Sequence, residues 1–85
     1  MDEDFFISED DKLIIDLHDM QLLEAEFYLE KLISSAPKNI KEITVVHGYR
    51  KGQVLLNMVR KTFKHERIRK KVIPFNPGIT IYYLY

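Results

Sequence analysis

The sequence predicts a two-layer α/β sandwich, a mixed four-stranded sheet in β-α-β-α-β-β order with two helices on one face. Three observations carry this. Apolar runs of strand length alternate with segments whose apolar residues recur at helical spacing. A Pro-Gly turn, not a helix, separates the last two strand-like runs. The chain of 85 residues, 46% apolar, supports one modest core. A chain this short leaves no room for a large internal hollow, so a site has to be an open cleft or surface.

Each element has a local reason. Residues 1–11 are acidic with an aromatic pair at Phe5 and Phe6, and read as a tail or a short edge segment; residues 12–85 form the domain. Leu13-Ile14-Ile15-Asp16-Leu17-His18 is nearly continuous apolar sequence, as a buried strand requires. Asp19 is placed to cap the first helix. Leu22, Ala25, Leu29, Leu32, Ile33 and Ala36 mark the buried stripe of that helix, and Pro37 marks its stop. Ile43-Thr44-Val45-Val46-His47 is a second, β-branched strand ended by Gly48. The loop Tyr49-Arg50-Lys51-Gly52 leads to a second helix with Leu55, Met58, Val59, Thr62 and Phe63 inward. Ile68, Val72 and Ile73 anchor a third strand, on which period-two alternation puts Arg67, Arg69 and Lys71 on one face. Asn76-Pro77-Gly78-Ile79 has the composition of a type II turn. Ile79-Thr80-Ile81-Tyr82-Tyr83-Leu84-Tyr85 is a fourth strand, apolar on both faces and expected inside the sheet.

Composition excludes several kinds of chemistry. There is no cysteine, hence no disulfide, thiolate nucleophile or Cys-type zinc site. No apolar run approaches the ~20 residues of a membrane span. The start Met1-Asp2-Glu3-Asp4 lacks the positive region of a signal peptide, and the expected compartment is the cytoplasm. The zero net charge conceals an asymmetry. Met1–Gly48 holds twelve acids against four bases, a formal −8, and Tyr49–Tyr85 holds nine bases against one acid, a formal +8. A basic cluster of this kind points to phosphate or another polyanion, or to a solvated surface balanced by the acidic half.

His18 and His47 end the first two strands. If those strands are parallel, both residues reach the C-terminal edge of the sheet, where open α/β sheets bind ligands. The start of the second helix faces the same edge, and its free N–H groups favour an anion. Gly48 and Gly52 allow close backbone approach, and Arg50 and Lys51 add charge. Asp16 lies one pleat from His18, on the same side of the strand, placed to orient it, hold a metal or join the reaction. His65 lies in a charged stretch and is expected in solvent or on phosphate. Tyr49 is a candidate for base stacking or for loop packing. Tyr82, Tyr83 and Tyr85 are expected to pack.

Two of these motifs, with the closing strand, resemble a known family. Ile15-Asp16-Leu17-His18 resembles the L-D-L-H strand of the Smr (small MutS-related) domain. Val46-His47-Gly48-Tyr49-Arg50-Lys51-Gly52 resembles its H-G-x-G-x-G loop, and Gly78-Ile79-Thr80-Ile81 its closing G-V-T-I strand. The likeness covers roughly residues 12–85. It implies a fold like the C-terminal domain of a bacterial translation initiation factor. It also implies nucleic-acid binding, often with endonuclease activity, in some relatives on messenger RNA at stalled ribosomes. The residues linked to cleavage match Asp16 and His18, and the second motif matches His47, Gly48 and Gly52. Asp19 stands where the first motif usually continues with glycine, and Arg50 replaces the middle glycine of the second.

Two functions follow. One is an endonuclease on RNA or DNA, with His18 and His47 as acid and base, Asp16 assisting, and Arg50, Lys51 and the glycine loop on the phosphate. Arg67, Arg69, Lys70 and Lys71 would hold the nucleic-acid backbone. No cofactor is specified; a divalent metal on Asp16 and His18 is a variant of the same chemistry. The other function is a non-catalytic module that binds nucleic acid or the ribosome. The acidic tail could also fold across the basic surface.

Overall fold

The computed structural model describes residues 6–9 by backbone, and residues 11–50 and 52–85 in full. The elements are β1 (Phe6–Glu9), β2 (Lys12–Asp16), α1 (Leu22–Ser35), β3 (Glu42–Val46), α2 (Val54–Asn57), β4 (Ile68–Val72) and β5 (Ile79–Leu84). A π-helical turn over Met58–Thr62 continues α2 directly. The sheet order is β1-β2-β3-β5-β4.

The four expected strands form, with β2 and β3 parallel and β4 and β5 an antiparallel hairpin. β5 lies between β3 and β4, as its apolar faces require. β4 therefore runs in the direction of β3 without touching it. β1 adds a short fifth strand, antiparallel to β2. It occupies the edge opposite β4; residues 1–5 and 10, which carry most of the acidic tail's charge, lie outside the described residues.

Alternation sets the faces. Leu13, Ile15, Ile43, Val45, Tyr82 and Leu84 turn inward and are almost wholly buried. Ala25, Leu29, Leu32 and Ile33 of α1 meet them, as do Met58 and Val59 of the π-helical turn. Both helical segments thus cover one face, and each fully buried large aliphatic side chain there contributes about 1.5–3 kcal/mol. Ile14, Thr44, Ile81 and Val72 share the other, partly open face.

Four local expectations are corrected. Asp19 does not cap α1; the N-cap is Gln21, and no side chain bonds there. Asp19 instead takes a left-handed φ of 70° in the turn before it. The second helix ends at Thr62, and Phe63 is already extended. The hairpin turn is not type II, because among the described residues only Gly48, Gly52 and Asp19 have positive φ. The Asn76 side chain builds it, accepting the Gly78 N–H at 2.8 Å. A register shift between Ile68 and Lys70 breaks the alternation of β4. Lys71 pairs with inward Tyr82 and Lys70 with outward Tyr83, so Arg67, Arg69 and Lys71 share no common face.

Candidate acid–base and nucleic-acid site

A cleft of about 750 Å³ opens at the C-terminal ends of β2 and β3. His18 and Asp19 line one wall, His47 through Arg50 another, and Asn76 and Gly78 of the hairpin turn close it. The size is that of a small-ligand or nucleotide site. The two histidines reach one cleft, as strand logic expects, but they are not equivalent.

His18 is exposed and belongs to a dyad. Asp16 Oδ1 accepts the His18 backbone N–H at 3.0 Å and lies 2.6 Å from Nδ1. A carboxylate can only accept, so Nδ1 carries the proton and Nε2 is the basic atom. Asp19 Oδ2 lies 3.6 Å from that Nε2. The dyad forms because Asp16 and His18 are one pleat apart, on the outward side of a strand whose Leu13, Ile15 and Leu17 point inward. Gly48 lies beside it with a left-handed φ of 75°; a Cβ there would touch His18 Cβ at an ordinary 3.9 Å, so the backbone and not the space calls for glycine.

His47 is buried and held at both ring nitrogens. Nδ1 donates to the Gly48 carbonyl at 2.8 Å. Nε2 lies 2.9 Å from Thr80 Oγ1, which also accepts from Arg60 Nε at 2.8 Å. With Nδ1 protonated, the Thr80 hydroxyl donates to Nε2, and every atom of the chain is satisfied by a neutral imidazole. Burial holds its pKa below the ordinary 6.5, and the nearby Arg60 charge adds to this, against the raising effect of the Gly48 carbonyl. The Arg60 guanidinium also donates to the Ile79 carbonyl at 3.0 Å and the Pro77 carbonyl at 3.4 Å. The Gly78 carbonyl accepts the His47 and Gly48 N–H groups at 3.0 and 2.9 Å. Glycine loop, hairpin turn and π-helical turn are therefore one hydrogen-bonded unit.

Arg60 and Thr80 were not read as site residues. Thr80 carries a signal: it is the polar member of an inward series with Tyr82 and Leu84, and a buried hydroxyl needs a partner. Arg60 carries none, because its reach depends on the π-helical turn. Such turns often accompany functional sites.

The basic residues divide. Arg50 lines the cleft, its guanidinium 5.9 Å from the centre of the Tyr49 ring. Lys51 lies outside the described residues. Arg67, expected on nucleic acid, donates instead to the carbonyls of Ile33 (2.9 Å), Ala36 (2.8 Å) and Pro37 (3.3 Å). It closes the C-terminus of α1, which has no basic residue of its own in the last turn. Lys71 Nζ donates to the Phe63 carbonyl at 2.6 Å and lies over the Tyr82 ring. Burial, then repulsion from Lys64, lowers its pKa. Arg69 and Lys70 stay exposed. His65, expected in solvent or on phosphate, is half-buried with its side chain largely covered: Nδ1 accepts the Arg67 N–H at 3.1 Å, and Nε2 reaches Ser34 Oγ at 3.1 Å. Among the described residues, no three carboxylate or imidazole side chains group to hold a metal ion. None of the described helices is long and apolar enough to cross a membrane.

Fold and cleft together define a small α/β domain with an exposed Asp–His dyad beside a glycine loop at a sheet's C-terminal edge. The family model of the Smr domain matches residues 15–78, from the first motif to the hairpin turn, and the chain belongs to that family. Smr domains are nucleic-acid-binding domains, often of endonuclease type. No curated protein and no solved structure matches the chain.

Proposed function

We propose that this protein is an endonuclease that hydrolyses phosphodiester bonds, in RNA in preference to DNA, with residues 12–85 as the working domain and the cytoplasm as its compartment. The observation that carries this is the solvent-exposed Asp16–His18 dyad, whose His18 lines the cleft. Asp16 holds the tautomer and stabilises the imidazolium. Nε2 of His18 takes the proton of the attacking oxygen and returns it to the leaving oxygen. His47 is a positioning residue: both its nitrogens are engaged, and it fixes the Gly48 loop against β5. The Gly48 N–H already bonds to Gly78, so charge developing on the phosphate falls to the rest of the loop, with Arg50 and Lys51. Arg69 and Lys70 supply weaker backbone contacts, and Tyr49 meets a base.

The test is cleavage of labelled RNA and DNA by the purified protein, with and without chelator. His18→Ala should lower the rate by about 10²–10⁴. Equal background from wild type and His18→Ala would end the nuclease reading. One observation favours a non-catalytic binding module instead. Asp19 puts a second carboxylate 3.6 Å from Nε2, where a scissile phosphate would approach. Binding that survives His18→Ala, with no cleavage by wild type, selects that reading.

A further inference from the structure

We propose that the cleft grips unpaired nucleobases through an apolar rim, with Phe75 as a stacking residue, so that the bound strand is single-stranded. This rests on the nucleic-acid reading of the cleft.

Apolar side chains are exposed where the cleft needs recognition groups. Leu22, Tyr49 and Val54 line it, and they are 38%, 43% and 61% exposed. Phe75 directly precedes Asn76 of the cleft wall and is wholly exposed at 104%. A lone exposed apolar residue needs no explanation, but three lining one cleft, with a fourth one residue from its wall, do.

The tip that carries Phe75 is stiff. Pro74 and Pro77 flank it, and Asn76 closes the turn onto Gly78. Arg60 clamps the Pro77 and Ile79 carbonyls, and Gly78 ties the turn to the glycine loop. An aromatic ring on fixed backbone loses little freedom when a base stacks on it.

Charge points the same way. Among the described residues lining the cleft, Arg50 is the only Lys or Arg, and Asp19 opposes it. A grip made mainly of phosphate contacts would need more. The sugar–phosphate surface of a duplex offers nothing to Leu, Val or Phe, and its base faces are stacked away. Unpaired bases present those faces, and base–aromatic stacking tolerates any sequence.

The test compares binding of the full chain to a short fluorescein-labelled single-stranded RNA and to the same sequence as a duplex, by anisotropy. Wild type should prefer the single strand. Phe75→Ala should weaken single-strand binding by about tenfold or more, and Phe75→Tyr should retain it. A single strand carrying 2-aminopurine should be quenched by wild type and Phe75→Tyr more than by Phe75→Ala. Single-strand affinity and quenching unchanged in Phe75→Ala, or a wild-type preference for duplex, would overturn this inference and leave the nucleic-acid reading standing. Wild type that binds neither form would overturn both.

Discussion

His18 and His47 end neighbouring parallel strands, but the pleat sends them to opposite faces of the sheet. His18 follows the outward series with Asp16, and His47 follows the inward series Ile43, Val45. That difference has a pH signature. Because the folded His47 pKa lies below 6.5, both states are neutral above that value and the stability is fully present. As pH falls below 6.5, the unfolded chain takes up a proton that the folded chain resists, and stability falls until the folded pKa is passed. Melting temperature measured from about pH 7 to 5 should show this loss, and His47→Asn should remove His47's share of the slope while costing about 1–3 kcal/mol. Arg67 makes a second contrast. Arg67→Gln takes the guanidinium from three carbonyls, of which, among the described residues, Ile33 and Pro37 keep a backbone donor and Ala36 does not, and should cost roughly 1.5–3 kcal/mol, with nucleic-acid affinity unchanged in a binding titration. Arg50→Gln should do the reverse, weakening binding at constant melting temperature.

Among elements, the turns around the cleft hold the strain. Asp19 occupies a left-handed position where the family pattern has glycine, and Asp tolerates that conformation better than most residues. Relief of φ strain in Asp19→Gly is offset by the greater freedom of glycine in the unfolded chain, so stability should stay within about 1 kcal/mol. Gly52 has φ 108° with open space around it, so Gly52→Ala suffers from backbone conformation alone. Denaturant melts should place that cost at about 1–3 kcal/mol. Arg50, by contrast, has no positive φ, which explains how a bulky residue replaces a family glycine without strain. In the core, Tyr82 packs in a stack with Phe63 and donates to the Val59 carbonyl at 2.7 Å, tying β5 to the π-helical turn. Burial raises its pKa, keeping it a neutral donor.

Across the whole molecule, the basic half is less available than its count implies. Arg60, Arg67 and Lys71 donate to internal acceptors. Arg50, Lys61, Lys64, Arg69 and Lys70 are exposed, and Lys51 lies outside the described residues. Binding to a single strand should therefore give a log–log salt slope no steeper than about −4, whereas nine free cations would give about −6. A titration over salt concentration separates the two. The folded chain presents a weaker cationic surface than the sequence implies, and a more apolar cleft.

Period and turn chemistry were enough to read strand order, the parallel β2–β3 pair, the interior place of β5, both helical segments and the edge where Asp16, His18 and His47 gather. These are local signals, present in each short window of residues. Burial of His47, the Arg60–Thr80 relay, the commitment of Arg67 and Lys71 to helix ends, and the exposure of Phe75 were not legible in the same way. Each depends on which groups from distant segments come within about 3 Å of one another. A bulge in β4 and a π-helical turn decided that, and neither leaves a periodic mark. Local pattern thus suffices for the fold and for the edge that holds the candidate site, whereas the folded packing selects which cations stay at the surface, because a hydrogen bond made inside the fold removes a donor from it.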